Sequence, residues 1–297
     1  KEEEAIFAAQ AENTYKDCTA LTKNSRFFTE TWLRVGEYHF DFDYSKLGLS
    51  NAISAYTKAL EDPTSTFYDL ALYKLAWSYW RNGNYTDAIT NFIQVIEYSD
   101  KKAAETGKSG SQLRPEAIQY IALSLWETDW DGDNAPDATS GFDRLKDATI
   151  IPQDRPWTPE VYAWLGDVYM DDNANLKAIE VFEETLKRWP NATDAPDIII
   201  KIAKAYQREK MEKEVIETRA RLAEYGKDST WWNANMDKPE LQEKALIAAE
   251  DALKQTAIHH HEVAQSLKTT AKTKTDPDEQ NELYQRAVEE YNLAATA

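Results

Sequence analysis

The stretch from Asp129 to Asp137 is the part of the chain whose residue types and spacing most favour chemistry. It reads Asp129-x-Asp131-Gly132-Asp133-x3-Asp137, so four carboxylates fall within one short loop. Carboxylates at alternate positions of a tight loop converge on a point, and Ca²⁺ prefers hard oxygen ligands of this kind. Asp129, Asp131, Asp133 and Asp137 are therefore candidate ligands of a weakly bound Ca²⁺.

The same loop also has a purely structural interpretation. It departs from the EF-hand pattern because Asn134 stands where the sharp-turn Gly belongs and Ser140 stands where a bidentate Glu would close the shell. Without a metal, the acidic residues would solvate the end of one helix and cap the next, where negative charge is favourable. Both interpretations remain open on the sequence, and no other cofactor is expected.

The second candidate for chemistry is a run of three histidines followed by a glutamate, His259-His260-His261-Glu262. A zinc-protease helix needs a second His three residues after the Glu, and Gln265 occupies that place. Consecutive residues on a helix point about 100° apart, so these histidines cannot chelate one ion together. We expect His260 on an inner helix face, flanked by the other two, and no metal site.

Catalysis is not expected from any other motif. Gly107-Lys108-Ser109 resembles the tail of a P-loop, but Lys102 stands where the first Gly belongs and no strand precedes it. The chain has no nucleophile elbow, and Cys18 is its only cysteine, which excludes a disulfide within the chain and a cysteine-based metal site. The sequence predicts a protein that is not an enzyme.

Charge and composition restrict the partners. The formal net charge of −18 disfavours binding to nucleic-acid phosphates and favours neutral or basic partners. No apolar run approaches the ~20 residues needed to cross a bilayer, so this segment is not expected to insert into a membrane. A single cysteine is compatible with the cytosol and equally with the periplasm, so it does not indicate the cellular compartment.

An internal repeat indicates the fold that must position these residues. The two copies are Leu72-x2-Leu75-Ala76-x2-Tyr79-x8-Ala88-x3-Phe92 and Tyr162-x2-Leu165-Gly166-x2-Tyr169-x8-Ala178-x3-Phe182. Each copy predicts two amphipathic helices that approach closely at small residues. One such hairpin cannot bury its apolar face alone, so the repeats must stack. The sequence therefore predicts an all-α solenoid of antiparallel helix pairs.

The whole chain is expected to form one such solenoid. We predict the following parts: an N-terminal helix in 1–28, two repeats in 29–102, three repeats in 115–225 with the acidic loop at 128–137, and a long helix with a partial repeat in 239–297. Solenoids need polar capping units, and the last repeat is followed by none, so the chain is expected to be a segment of a longer protein.

First helices of stacked pairs line the concave surface, so their residues that do not pack between helices are expected to face a partner. The predicted partner-binding residues are Tyr73, Trp77, Trp80, Arg81, Leu123 and Trp126. Leu33, Glu37 and Phe40 occupy corresponding places in the preceding unit, and Gln119 does so beside Leu123 and Trp126 in the following unit. This aromatic stripe resembles a groove for a peptide or a helix, and Trp, Tyr and Arg often dominate binding energy. The alternative is that the same rings pack against the adjacent unit.

The repeat resembles the tetratricopeptide repeat, and Pro190 falls where that family ends its unit. This resemblance implies a right-handed superhelix. Three stretches are more narrowly similar to the cell-envelope tetratricopeptide proteins of myxobacterial gliding motility: Asp129–Asp137, Tyr162–Tyr169 with Arg188-Trp189-Pro190, and Tyr225–Asn235. That similarity implies an assembly scaffold on the periplasmic side of a bacterial envelope, in motility or secretion.

Two other functions compete with the envelope scaffold. A cytoplasmic, chaperone-like receptor for peptides or C-termini would need a basic clamp on first helices, and the chain offers only Arg81, Lys204 and Arg208. A Ca²⁺-binding structural repeat protein would depend on the acidic loop alone.

Overall fold

The computed structural model describes residues 25, 27–45, 47–108, 110–130 and 132–296, and residues 1–24 of the predicted N-terminal helix lie outside them. The fold is all-α, and the described residues contain no strand. Its α-helices are α1 (Phe28–Asp41), α2 (Gly48–Ala59), α3 (Tyr68–Arg81), α4 (Tyr85–Thr106), α5 (Arg114–Trp126), α6 (Gly141–Lys146), α7 (Thr158–Asp171), α8 (Asn175–Arg188), α9 (Ala195–Arg208), α10 (Glu212–Ala220), α11 (Thr230–Ala234), α12 (Pro239–Ala271) and α13 (Pro277–Thr296).

The chain divides into two compact units, one up to Val168 and one from Tyr169. In the first unit, each helix from α1 to α5 packs against the next helix in the chain, and α5 packs against α6. The small residues of the repeat are where the sequence requires them, since Ala76 on α3 and Ala88 on α4 are both fully buried. This is the stacked arrangement of helix pairs that the repeat predicts.

A glycine makes the first helix pair possible. A Cβ on Gly36 of α1 would overlap the ring of Tyr56 on α2, which is fully buried. Tyr56 stands at the place that Phe92 and Phe182 occupy in the two clear repeats. The glycine therefore admits a large aromatic side chain between two closely spaced helices.

Helix α4 is longer than its sequence indicates. The residues from Lys101 onwards are polar and predict a linker, yet the helix continues to Thr106. It ends where Gly107 adopts φ +66°, a left-handed conformation that glycine tolerates without steric cost. Polar composition alone does not end a helix, because Lys, Ala and Glu are good helix formers.

Polar bridges connect consecutive helix pairs of the first unit. Arg114, at the start of α5, donates to Asp100 on α4 at 2.5 Å from Nε and to Glu160 on α7 at 2.8 and 2.9 Å from its two terminal nitrogens. The hydrogen bonds to Glu160 and then to Asp100 raise the pKa of Arg114 further above its ordinary value. One guanidinium thus joins three helices with planar, charge-assisted hydrogen bonds.

In the second unit, α9 packs against both α8 and α10, and α12 packs against α10 and α13. Helix α12 coincides with the long helix that the sequence predicts. Ala245, Ala249 and Ala252 form its buried stripe, at helical spacing. Lys244 on α12 contacts Asp197 on α9 at 2.6 Å. No helix in the described parts of the chain combines the length and the apolar character needed to cross a membrane.

Candidate partner-binding surface

The predicted aromatic stripe forms one packed cluster in the first unit. Trp77 on α3 lies 4.4 Å, centroid to centroid, from Tyr120 on α5 and 5.3 Å from Trp80. Tyr73 meets the buried Phe92 edge-on at 6.0 Å, and Phe92 stacks on Tyr120 at 5.7 Å. We call Tyr73, Trp77, Trp80, Phe92 and Tyr120 the aromatic cluster. Apart from Phe92 its members are half-buried, so they pack between helices and keep an accessible edge.

Tyr73 holds the cluster to the next pair through its hydroxyl, which donates to Glu116 on α5 at 2.7 Å. Burial, followed by this hydrogen bond, raises the pKa of Tyr73 above its ordinary value. The predicted site residue is therefore fixed in one orientation. Tyr120 was not among the predicted residues, although it stands one position after Gln119 on the same first helix.

Trp80 carries a polar group that the fold leaves without a partner. Its indole Nε1 is buried and has no acceptor among the described residues. Its ring lies 6.2 Å from Tyr120 and 6.5 Å from Tyr85. Burying a donor without an acceptor costs about 1–3 kcal/mol, so this N–H group lowers stability at this place.

Arg81 makes its contacts with the protein itself. Its Nη1 donates to the main-chain oxygen of Phe40 at 2.9 Å, and its guanidinium lies 4.3 Å from the centre of the Phe40 ring. The side chain remains exposed. The contact closes the last turn of α1, where carbonyl groups have no partner within the helix.

Leu123 and Trp126 on α5 are both half-buried. The expectation for the preceding unit was partly wrong, because Leu33 on α1 is fully buried in the core with Ala52 and Tyr56. Leu33 therefore cannot face a partner. Phe40 is half-buried, and the guanidinium of Arg81 covers its ring. No observation tests whether the six predicted residues bind a partner, so that assignment stays a prediction.

A guanidinium organises the acidic loop. Arg144 on α6 is only 4% exposed and contacts Asp137 at 3.2 Å. Its other terminal nitrogen donates to the main-chain oxygens of Leu125 and Glu127 at 3.1 and 2.5 Å. The same guanidinium lies 4.5 Å from the centre of the Trp130 ring. A positive charge from the chain itself therefore meets the carboxylate of Asp137.

The remaining described carboxylates of the loop accept main-chain hydrogen bonds. Asp129 accepts from the N–H groups of Gly132 and Asn134 at 3.0 and 3.1 Å, and Asp133 accepts from Ala135 at 2.8 Å. Asn134 adopts φ +66°, so it takes the left-handed turn conformation in place of a glycine. These are the contacts of a loop that stabilises its own turns.

Ser140 caps the helix that follows the loop. Its hydroxyl accepts from the N–H of Asp143 at 3.2 Å, and the Asp143 carboxylate accepts from the N–H of Ser140 at 3.2 Å. This reciprocal capping box explains a serine where an EF-hand would need a bidentate Glu. The described residues contain no group of three His, Cys, Asp or Glu arranged to hold a metal, and Asp131 lies outside them. The Ca²⁺ assignment therefore remains a prediction.

The histidine run has the arrangement that helical geometry predicts. His260 on α12 contacts Glu290 on α13 at 2.7 Å, and its ring is mostly buried. His261 meets the ring of Tyr291 edge-on at 5.5 Å. Consecutive histidines thus contribute to the α12–α13 contact from different sides of one helix.

The arrangement of α3 and α4 agrees with a comparison to known families. Residues 70–100, which cover most of α3 and the first part of α4, match the family model described as "Tetratricopeptide repeat". Residues 70–100 are thus similar to a tetratricopeptide repeat. The family model thus matches the internal copy that begins at Leu72. The first helix of this copy, α3, carries Tyr73, Trp77 and Trp80.

Comparisons with whole proteins add little to this. Among curated proteins, none matches the chain. The solved structure of the Rap conjugation gene regulator of plasmid pLS20 in complex with the Phr* peptide is similar over 90% of this chain and 74% of that chain. The sequence identity is 15% and the TM-score is 0.29, which does not establish a shared fold.

Proposed function

We propose that this protein is a non-enzymatic interaction scaffold that binds a peptide or helix of a partner protein on the first helices of its first unit. The observation that carries the proposal is the aromatic cluster on the tetratricopeptide repeat. Trp77 of that repeat lies 4.4 Å from Tyr120 of the next pair, which joins two first helices into one surface.

The physical argument is preorganisation. A partner that binds mobile side chains must order them, at about 0.5–1.5 kcal/mol for each flexible side chain. Here Tyr73 is tied to Glu116 and the tryptophans pack on Tyr120, so part of that ordering is complete before binding. Large aromatic side chains with an accessible edge contribute both apolar area and edge-to-face contacts.

Charge favours a basic partner segment. The net charge of −18 attracts cationic peptides and speeds their encounter with the surface. Glu116 lies beside the cluster, and Glu127 lies at the end of α5, where burial and then Asp129 raise its pKa above the ordinary value for Glu. A Lys or Arg of the partner would find acceptors next to the aromatic surface.

We further propose that the scaffold acts in a bacterial cell-envelope assembly for motility or secretion, on the periplasmic side. The support for this is the similarity of three sequence stretches to envelope tetratricopeptide proteins. A cytoplasmic peptide receptor is the competing proposal. It has less support, because Arg81 and Arg208 of its basic clamp both donate to main-chain oxygens of the protein itself.

The test is a capture experiment with the purified chain as bait in a lysate of the source cells, followed by crosslinking and mass spectrometry. We expect crosslinks from a single partner to lysines near α3 and α5, and the same partner should be lost with Leu123→Ser combined with Trp126→Ser. An envelope protein would support the assembly role, and a cytoplasmic protein would support the receptor.

The control variant is Leu176→Ser, which removes an exposed apolar side chain from α8 of the second unit, outside the proposed surface. It should retain the partner, and each variant must keep the cooperative unfolding of the parent chain. If a correctly folded Leu123/Trp126 variant captures every partner as well as the parent does, the proposed surface is wrong.

A further inference from the structure

The helix pair formed by α9 and α10 carries an arginine at a core position. Arg219 on α10 occupies the place that Phe92 and Phe182 occupy in the two clear repeats, and both phenylalanines are fully buried. Arg219 is half-buried, and it has no ion pair or side-chain hydrogen bond to any residue that the structure describes. A guanidinium partly removed from water without a partner lowers stability, so packing does not explain this residue.

A second residue of the same pair also breaks the pattern of the repeat. The turn between the two helices has a left-handed residue at the same place in three pairs: Gly83 with φ +73°, Asn173 with φ +58° and Lys210 with φ +60°. Gly and Asn adopt this conformation readily, whereas Lys does so at a cost. Main-chain hydrogen bonds from Lys210 to Gln207 and from Met211 to Tyr206 hold the turn.

The two exceptional residues line one groove of about 320 Å³ between α10 and α12. Apolar side chains also line it: Met211, Val215, Ile216 and Ile258. His259, Glu212 and Glu262 are further lining residues. Positions that break local rules without a structural gain are typical of functional sites, and here two of them share a cavity.

We propose that this groove binds a carboxylate next to an apolar group, namely an acidic side chain and an adjacent apolar side chain of a partner polypeptide. Arg219 binds the carboxylate, Lys210 adds positive charge at the other end of the groove, and Val215, Ile216 and Ile258 contact the apolar group. Grooves at the lower end of the ~300–1,000 Å³ range hold small groups, which fits one or two side chains.

Glu212 and Glu262 line the same groove as the two cations. They oppose the attraction of any anion, so binding depends on a direct hydrogen-bonded contact between Arg219 and the carboxylate. This site is separate from the aromatic cluster and does not depend on the function proposed for that surface.

The test uses 4-methylpentanoate, which joins a carboxylate to a leucine-like group, as the probe in NMR titrations of the whole chain at pH 7. We expect saturable shifts of the Arg219 Nε–H signal and of the Ile216 and Ile258 methyl signals. The uncharged 4-methylpentanamide and the tail-less acetate should bind at least 10-fold more weakly.

Substitutions separate binding from folding. Arg219→Gln should weaken binding of 4-methylpentanoate at least 10-fold, and Arg219→Lys should restore part of it. Arg219→Phe should abolish binding and raise the midpoint of thermal unfolding, because it returns the core residue of the other pairs. Lys210→Gly should also raise the midpoint and should weaken binding several-fold.

Two results would overturn the proposal. One is equal binding of the acid and the amide, which would make the groove a general apolar cleft. The other is unchanged 4-methylpentanoate affinity in Arg219→Gln. Since the probe reports only on α10 and α12, neither result would bear on partner capture by the first unit.

Discussion

The guanidinium of Arg81 closes the last turn of α1 by donating to the main-chain oxygen of Phe40 at 2.9 Å. Arg208, at the equivalent place of its own pair, donates to the oxygen of Met170 in the last turn of α7 at 2.6 Å. The same arrangement thus occurs at two places in the chain. In each, an arginine at the end of one first helix donates to a main-chain carbonyl in the last turn of the preceding first helix. The favourable interaction of a cation with a helix C-terminus adds to these hydrogen bonds.

We expect Arg81→Ala to lower the free energy of unfolding by about 1–2 kcal/mol, because it removes a charged hydrogen bond and a cation–π contact. Arg81→Lys should recover part of this, since an ammonium keeps the charge and loses the planar geometry. Urea denaturation of the two variants would measure both effects. Partner loss with Arg81→Ala at unchanged stability would instead make Arg81 a binding residue.

Arg144 should be the main support of the acidic loop. Its guanidinium is buried among two main-chain oxygens and Asp137, so Arg144→Met is expected to cost about 3 kcal/mol or more by leaving these acceptors unpaired. Thermal unfolding would measure the loss. As a comparison, Lys146→Met on the exposed side of the same helix should change stability by less than about 0.5 kcal/mol.

Calcium gives an independent test of the same loop. If the loop is structural, millimolar Ca²⁺ and excess chelator should give the same unfolding midpoint for the parent chain and for Asp131→Asn. A bound ligand stabilises the folded state by ~2.7 kcal/mol only at 100 times its Kd, so the Ca²⁺ concentration is raised until the unfolding midpoint stops changing. A Ca²⁺-dependent rise that disappears in Asp131→Asn would establish the metal site.

Removing the hydroxyl group of a buried tyrosine should change the free energy of unfolding in opposite directions at two positions. Tyr56 and Tyr162 are both fully buried, but the Tyr56 hydroxyl has no partner among the described residues, whereas the Tyr162 hydroxyl donates to Gln153 at 2.9 Å. Tyr56→Phe should therefore raise the free energy of unfolding by about 1 kcal/mol, and Tyr162→Phe should lower it by a similar amount. Equal signs in denaturant titrations would contradict this difference in environment.

Alkaline pH should destabilise the protein through its tyrosines. Burial is the first cause that raises the pKa of eight tyrosines in the described part of the chain: Tyr56, Tyr68, Tyr73, Tyr79, Tyr85, Tyr120, Tyr206 and Tyr225. A raised pKa in the folded state means that the unfolded chain loses these protons first, near pH 10. The contribution to stability is thus complete below pH ~10 and is lost above it.

Absorbance at 295 nm would follow tyrosinate directly. We expect the signal of these eight tyrosines to appear only together with loss of the helical circular-dichroism signal. A single ionisation step for all tyrosines at constant helicity would show that the rings are accessible. Guanidinium-unfolded protein supplies the reference curve.

The sequence determined by itself that this chain is all-α and built from repeated helix pairs. The reason is that small residues such as Ala76 and Ala88, and large ones such as Phe92, recur at helical spacing, and that spacing acts locally. It also located α12 from Pro239 and predicted the separate directions of the three histidines, since both depend on the geometry of one helix.

Only the tertiary structure decided what the polar and aromatic side chains contact. Arg81, Arg144 and Arg208 meet main-chain oxygens of other helices, and these sit 41, 19 and 38 residues away along the chain. Likewise, Trp77 meets Tyr120 across two helix pairs. A long side chain can reach solvent, a partner or a neighbouring helix, and its own position in the sequence does not distinguish these. The choice depends on which carbonyls and rings the stacked helices bring within reach.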